Sequence, residues 1–274
     1  MGFLEKLAGR RAATGGVLCV GLDPDLEKMP AACRDSRTPL YEFCRQIITA
    51  TSSFAAAFKP NLAFFEAYGS TGIAQLERLL AEIPAEIPTI LDGKRGDIGN
   101  TSRLYARFLF EHLNGDAATV NPYLGRDALE PFFGFPGHLP IVLCLTSNPG
   151  STDIQTVASA GSDERIYHRV IQLLERMPGP FGLVVGARHV SLIDDVRRHA
   201  PNATLLIPGI GAQGGDMNAT LQAAAAGGAP LVINVSRDIL YASSGDDFAE
   251  AAAAKAQWYA AEMKQILQNL PIHS

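Results

Sequence analysis

Cysteine is scarce in this chain, and its placement rules out two common uses. Cys19, Cys33, Cys44 and Cys144 form no CxxC pair and have no histidines at metal-ligand spacing. A zinc ribbon or a disulfide framework is therefore excluded as the basis of the fold. Cys19 and Cys144 lie inside apolar runs, where a buried, reduced thiol is expected. Also missing are an N-terminal apolar signal region and any apolar run of membrane-spanning length. Met1-Gly2 could open a myristoylation motif, but Lys6 stands where that motif needs Ser or Thr. Basic charge is in short supply too, since 23 Lys and Arg against 28 Asp and Glu leave a formal charge of −5. Such a chain has no general attraction for nucleic acid or an anionic membrane, so any functional basic residue must act locally. Together these absences make a reducing cytoplasm the expected location.

What is present is core. Hydrophobic residues make up 47% of 274 positions and charged residues 19%, enough to bury one large interior. Short apolar runs rich in Val, Ile and Leu recur at 16–23, 56–62, 88–94, 118–124, 140–147, 182–187, 204–210 and 230–237. Continuous apolar character suits strands buried on both faces. Between them lie segments of helical spacing, such as Ile73, Leu76, Leu79 and Leu80 in 70–82, and Ile166, Val170, Ile171, Leu173 and Leu174 in 164–177. The Ala-rich pieces 222–226 and 251–256 read as packed helix faces. With no linker-like stretch, the eight units predict an α/β chain folded as a single (β/α)8 TIM barrel over 1–274. An open doubly wound sheet is the rival.

Barrel chemistry collects at the C-terminal ends of strands. The residues there are Asp23, Lys59, Asp92, Lys94, Asn121, Ser147, Gly186 and Arg237, and five of these eight are charged. In "TILDGKRGDIGNTS", Asp92 and Lys94 are two apart and so share one side of a strand. Asp97 follows past Gly96, in the turn before a helix starting near Asn100, and Lys59 can arrive from the neighbouring strand. The expected product is an alternating Lys–Asp–Lys–Asp array. Opposite charges about 4 Å apart attract by roughly 4 kcal/mol at an effective dielectric near 20, enough to keep Lys94 protonated. A fixed ammonium can stabilise a carbanion and hand it a proton. A salt-bridge network tying strand ends, or a Mg²⁺ site on the two carboxylates, remains open; two lysines in the cluster weigh against the metal.

"PGIGAQGGD" (208–216) after the seventh run and "NVSRD" (234–238) at the eighth suit phosphate, through backbone N–H groups and Arg237. Gly209, Gly211 and Gly214 also spell GxGxxG. However, no acid ends the next strand and no nucleotide-binding half follows, so a nicotinamide site is not expected.

"LDGKRGDIGNTS", with its D-x-K-x-x-D pattern, resembles the orotidine 5′-monophosphate decarboxylase family in its longer-chain branch. "GLDPD", "FKPN", "TSNPG", "GIGAQGGD" and "SRD" resemble its other strand-end motifs, over about residues 15–240. The resemblance implies conversion of orotidine 5′-phosphate to uridine 5′-phosphate in pyrimidine biosynthesis, with no metal or cofactor. It implies that Lys94 protonates C6, Asp92 faces the substrate carboxylate, and Lys59 and Asp23 meet the ribose hydroxyls, Lys59 also steadying the charge array. It further implies Ser147 on the pyrimidine, with Thr146 beside it, and Gln213 and Arg237 on the 5′-phosphate. Asp97 and Thr101 would complete the site of a neighbouring subunit in a homodimer. The segments 24–40 and 148–163 are longer than in short members; the second is either a lid or a plain solvated loop.

Overall fold

Each apolar run becomes one short strand: β1 Leu18–Leu22, β2 Ala57–Pro60, β3 Ile90–Arg95 and β4 Ala117–Val120. The series continues with β5 Leu139–Leu145, β6 Gly182–Val185, β7 Thr204–Pro208 and β8 Leu231–Val235. The computed structural model describes residues 1–159, 161–211 and 216–270. All neighbouring strands pair parallel, in the order β2-β1-β8-β7-β6-β5-β4-β3. The ring closes between β2 and β3 through the bridges Phe58↔Thr89 and Asn61↔Asp92. Phe58 N–H donates to Pro88 O at 3.1 Å, and Leu62 N–H to Asp92 O at 3.2 Å. This is the (β/α)8 barrel that the run count predicts, and a closed ring excludes the open sheet.

Most strands stop short of their runs, so Asp23, Asn121, Ser147 and Gly186 lie just past the pleat at the C-terminal mouth, and Arg237 opens the short helix Arg237–Leu240. Small and medium residues fill the barrel interior, including Cys19, Ala57, Ala117, Ile141, Val184 and Leu206. The alternate positions Leu18, Val20 and Leu22 belong to the larger core under the helices.

Helices fall where periodicity places them, at Gly69–Leu80, Ile166–Leu174 and, after the charged motif, Gly99–Arg107. The Ala-rich piece 251–256 lies in Phe248–Gln268, burying Ala252 and Ala256, whereas 222–226 runs across the end of Met217–Ala224 into the 3-10 turn Ala226–Gly228. An additional helix, Phe3–Thr14, is not foreseen by the run count. Its Phe3 and Leu7, four apart, cap the interior at the N-terminal end of the strands. Arg10 anchors the helix by donating to Ala55 O (2.8 and 3.0 Å) and Ser52 O (2.6 Å). Phe132 of 126–137 is buried outside the strands, as expected. Among the described residues no helix is long and apolar enough to cross a membrane.

Candidate active site

Asp92 is the hub of the mouth. It is 8% exposed, and both carboxylate oxygens are engaged. Oδ2 accepts from Lys59 Nζ at 2.7 Å. Oδ1 accepts from Lys94 Nζ at 2.6 Å and from the Thr119 hydroxyl at 2.8 Å. Burial alone would favour the neutral acid, but the two ammonium groups outweigh it and hold the carboxyl well below the usual range. Burial likewise opposes charge on Lys59, yet Asp92 and Asp23 overcome it and raise its pKa above the ordinary lysine value. Lys59 is 4% exposed, whereas about half of the Lys94 side chain remains open to the mouth.

Three of the four expected charges therefore meet, as Lys59–Asp92–Lys94. The cause is not simple alternation along a strand. The β3–β4 register shifts between Leu91 and Arg95, and Lys94 has φ +47° inside the bulge. Asp97 does not join the row. Its Oδ1 accepts from Ile98 N–H at 2.7 Å, and among the described residues no ion pair includes it. Thr101 is exposed on the helix that follows. Around them Ile98 (60% exposed), Leu104 and Leu124 are open, and Tyr123 is 77% exposed.

Two cavities flank the row and share Lys59, Asp92 and Pro208. The larger, about 360 Å³, has Lys94, Thr119, Thr146 and Ser147 on its walls and an apolar surface from Leu143, Val184 and Leu206. Thr146 is engaged on every side. Its N–H donates to Gln155 Oε1 (2.7 Å), its hydroxyl accepts from Gln155 Nε2 (2.8 Å), and its carbonyl accepts from His189 Nε2 (2.9 Å). Gly186 leaves room for the lip, since a Cβ there would lie 2.8 Å from Ser147 N. The 148–163 segment is not a plain loop: it carries a 3-10 turn at Pro149–Asp153 and an Ala158↔Arg165 bridge. Through Gln155 it forms part of the cavity wall.

The smaller cavity, about 170 Å³, is lined by Asp23, Asn61, Asn234, Ser236 and Arg237, with Gly209 of the Gly-rich loop. Ser236 donates to Asp23 Oδ2, while Asp23 Oδ1 and Asn234 Oδ1 are buried without a hydrogen-bond partner. Two unsatisfied buried acceptors side by side would each gain from a ligand hydroxyl. The Tyr241 hydroxyl, raised in pKa chiefly by burial, donates to Asp23 O at 2.7 Å and accepts from Asp25 N–H at 2.7 Å, pinning the loop after β1. Gly209 and Gly211 have φ of +105° and +86°, as an anion-cradling turn requires. Arg237 is exposed at the rim. Gln213 lies outside the described residues.

Thr119, Asn234, Gln155 and Tyr241 are absent from the sequence-based set. Thr119 and Asn234 sit within apolar runs, where one polar residue in a buried strand is the signal to be had. Asn121 makes a turn, accepting from Tyr123 N–H at 3.0 Å, and lines neither cavity. The metal-ligand grouping of the described residues, His168, Asp195 and His199, lies on the helices Ile166–Leu174 and Val190–His199 and also lines neither. Asp195 there is already held by Tyr167 (2.6 Å) and Arg198 (2.9 Å).

The profile of the Orotidine 5′-phosphate decarboxylase / HUMPS family matches residues 16–254. The orotidine 5′-phosphate decarboxylase of Roseiflexus sp. (strain RS-1) is 49% identical over 261 residues, covering 93% of this chain and 95% of the relative. The solved OMP decarboxylase of Leishmania donovani is similar with a TM-score of 0.78 at 38% identity, covering 95% of this chain and 99% of that one. The UMP synthase of the same organism superposes with a TM-score of 0.82 at 39% identity; the match covers 95% of this chain and 57% of that longer one.

Proposed function

Because this chain belongs to the orotidine 5′-phosphate decarboxylase / HUMPS family, we propose that it decarboxylates orotidine 5′-phosphate to uridine 5′-phosphate in pyrimidine biosynthesis. The observation that carries the mechanism is the buried Asp92 held between two ammonium groups, where two cavities of different character meet. The phosphate lies at the turn of Gly209 and Gly211 and at Arg237. The ribose hydroxyls supply the donors that Asp23 Oδ1 and Asn234 Oδ1 lack, beside Lys59. The pyrimidine occupies the larger cavity, against Ser147, with its carboxylate facing Asp92.

Two carboxylates cannot rest comfortably together, and departure of neutral CO₂ relieves the repulsion. The C6–carboxylate bond breaks and its electron pair stays on C6. Lys94 Nζ stabilises that charge and gives C6 a proton, which it then regains from water. The row is charged before substrate arrives, so no reorganisation is needed at the moment of reaction. Burial of the remote phosphate supplies binding energy that holds the carboxylate against Asp92. In this reading the protein acts as one cytoplasmic catalytic domain without cofactor or metal. It also acts as a homodimer: Asp97 and Thr101, set among exposed apolar side chains, complete the partner's site.

The rival reading is sugar-phosphate chemistry, in which paired carboxylates would hold Mg²⁺. The ultraviolet absorbance change of orotidine 5′-phosphate, followed with enzyme and EDTA together, separates the two. Turnover is expected to be the same with and without chelator. Turnover that EDTA abolishes, or none at all, would refute the assignment.

A further inference from the structure

The β3–β4 ladder is in step at Leu91↔Ala118 and again at Arg95↔Val120. Three residues of β3, Asp92, Gly93 and Lys94, therefore stand opposite the single residue Thr119. Within that bulge Lys94 has φ +47°, a left-handed conformation that a non-glycine residue holds only where its surroundings compel it. Thr119 is 1% exposed, and its one hydroxyl makes two bonds. It accepts from Lys94 N–H at 2.9 Å and donates to Asp92 Oδ1 at 2.8 Å. The same Oδ1 takes the Lys94 ammonium at 2.6 Å. Hydroxyl, backbone, ammonium and carboxylate thus close a ring.

We propose that Thr119 is a positioning residue for the reaction. Its hydroxyl holds Lys94 in the left-handed turn and presents one chosen oxygen of Asp92 to the Lys94 ammonium, leaving the other to Lys59. A hydroxyl has a single proton. With Lys94 N–H on its lone pair, that proton is directed at Asp92, where it favours the ionised form. The bulge removes the regular ladder partner of Lys94 N–H, and the side chain of Thr119 replaces it. Thr119 also lines the larger cavity, beside Lys94 and Asp92. The role in catalysis rests on the decarboxylase reading; the role in holding Lys94 does not.

The test compares Thr119→Val, which keeps the shape and loses the hydroxyl, with Thr119→Ser, which keeps the hydroxyl. Thr119→Val is expected to lower kcat for orotidine 5′-phosphate by at least ~10-fold while the Kd for uridine 5′-phosphate changes less than about threefold. Its acid limb should move to higher pH, because Asp92 loses a donor to its charged form. Thr119→Ser should stay within about threefold of wild type on every measure. Thermal melts accompany both, and if Thr119→Val does not fold, Thr119→Ala takes its place in the comparison. A kcat for the hydroxyl-free variant within about twofold of wild type overturns the proposal, as does a serine variant equally impaired, which would mean packing alone. Crystal structures give a readout independent of turnover: the hydroxyl-free variant should show Lys94 Nζ away from Asp92. If Lys94 keeps both its turn and its contact there, Thr119 does not position it, whatever the activity. Wild type that turns over no orotidine 5′-phosphate would sink the decarboxylase reading, and the crystal structures would still decide whether Thr119 holds Lys94.

Discussion

Lys94 and Arg237 stand at opposite ends of the paired cavities, and their loss should read out differently. If Lys94 is the proton donor, Lys94→Ala should abolish turnover while uridine 5′-phosphate still binds within about threefold of wild type. Arg237→Ala should raise KM by ~10-fold or more, with a smaller fall in kcat because remote binding energy assists the chemistry. Steady-state kinetics and product titration check both; comparable turnover in the Lys94 variant would end its assigned role. Lys59 permits a test by pH. Asp92 has a folded-state pKa below its ordinary value of 3.8, so its ionised form stabilises the fold above that pH. That contribution fades as pH falls through the depressed value. Lys59 is raised above 10.5, so its contribution holds at neutral pH and is lost only as pH climbs through the raised value. Lys59→Met breaks a buried pair, at a cost of about 3 kcal/mol near pH 7. The gap in Tm between wild type and variant should narrow from pH 7 to pH 3, since the unfolded chain takes up a proton there that the paired Asp92 still refuses. A gap that stays constant over this range would argue against the coupling.

Among the elements, β3 and the helix Phe3–Thr14 place opposite demands on the barrel. The C-terminal end of β3 is irregular where Lys94 and Thr119 converge on one oxygen of Asp92, which an unbroken pleat beside β4 does not arrange. The N-terminal helix does the reverse work, sealing the interior with Phe3 and Leu7 at the end remote from the mouth. Phe3→Ala should therefore lower stability by about 3 kcal/mol, seen as a drop in Tm. kcat should not change, since the chemistry lies at the C-terminal strand ends. A variant with unchanged Tm would show that the helix is not a structural cap. The positions of these elements were largely legible. Eight apolar runs gave eight strands, because a strand buried on both faces must be apolar throughout. The bulge was not legible, since "DGKR" reads equally well as a regular strand until Thr119 is placed opposite it. The first helix offered only Phe3 and Leu7, too little periodicity to stand out.

For the molecule as a whole, the open question is who uses Asp97 and Thr101. Both lie beside the mouth but line neither of its cavities. If each subunit lends Asp97 to its partner, mixing Lys94→Ala and Asp97→Ala subunits rebuilds one intact site per mixed dimer. Two nearly inactive variants should then yield about a quarter of wild-type activity after random subunit exchange. No recovery, with mixed dimers shown to form, would place Asp97 in its own chain's site or in none.

Strand number, the α/β class and the clustering of charge at strand ends followed from the order of residues alone, because burial on two faces and spacing by two are local constraints; closure of the ring was settled by the β2–β3 bridges. The joining of Lys59, Asp92 and Lys94 lay partly within that reach, as neighbouring strands carry them. What only the folded chain decided was partnership across distance. Thr119, Asn234, Gln155 and Tyr241 take part because the ring brings β4, β8, a long loop and the segment after β8 to one mouth. The hydrogen bonds of Thr119, Gln155 and Tyr241, and the unfilled acceptor of Asn234, depend on geometry of a few tenths of an ångström, which no spacing in a linear sequence specifies.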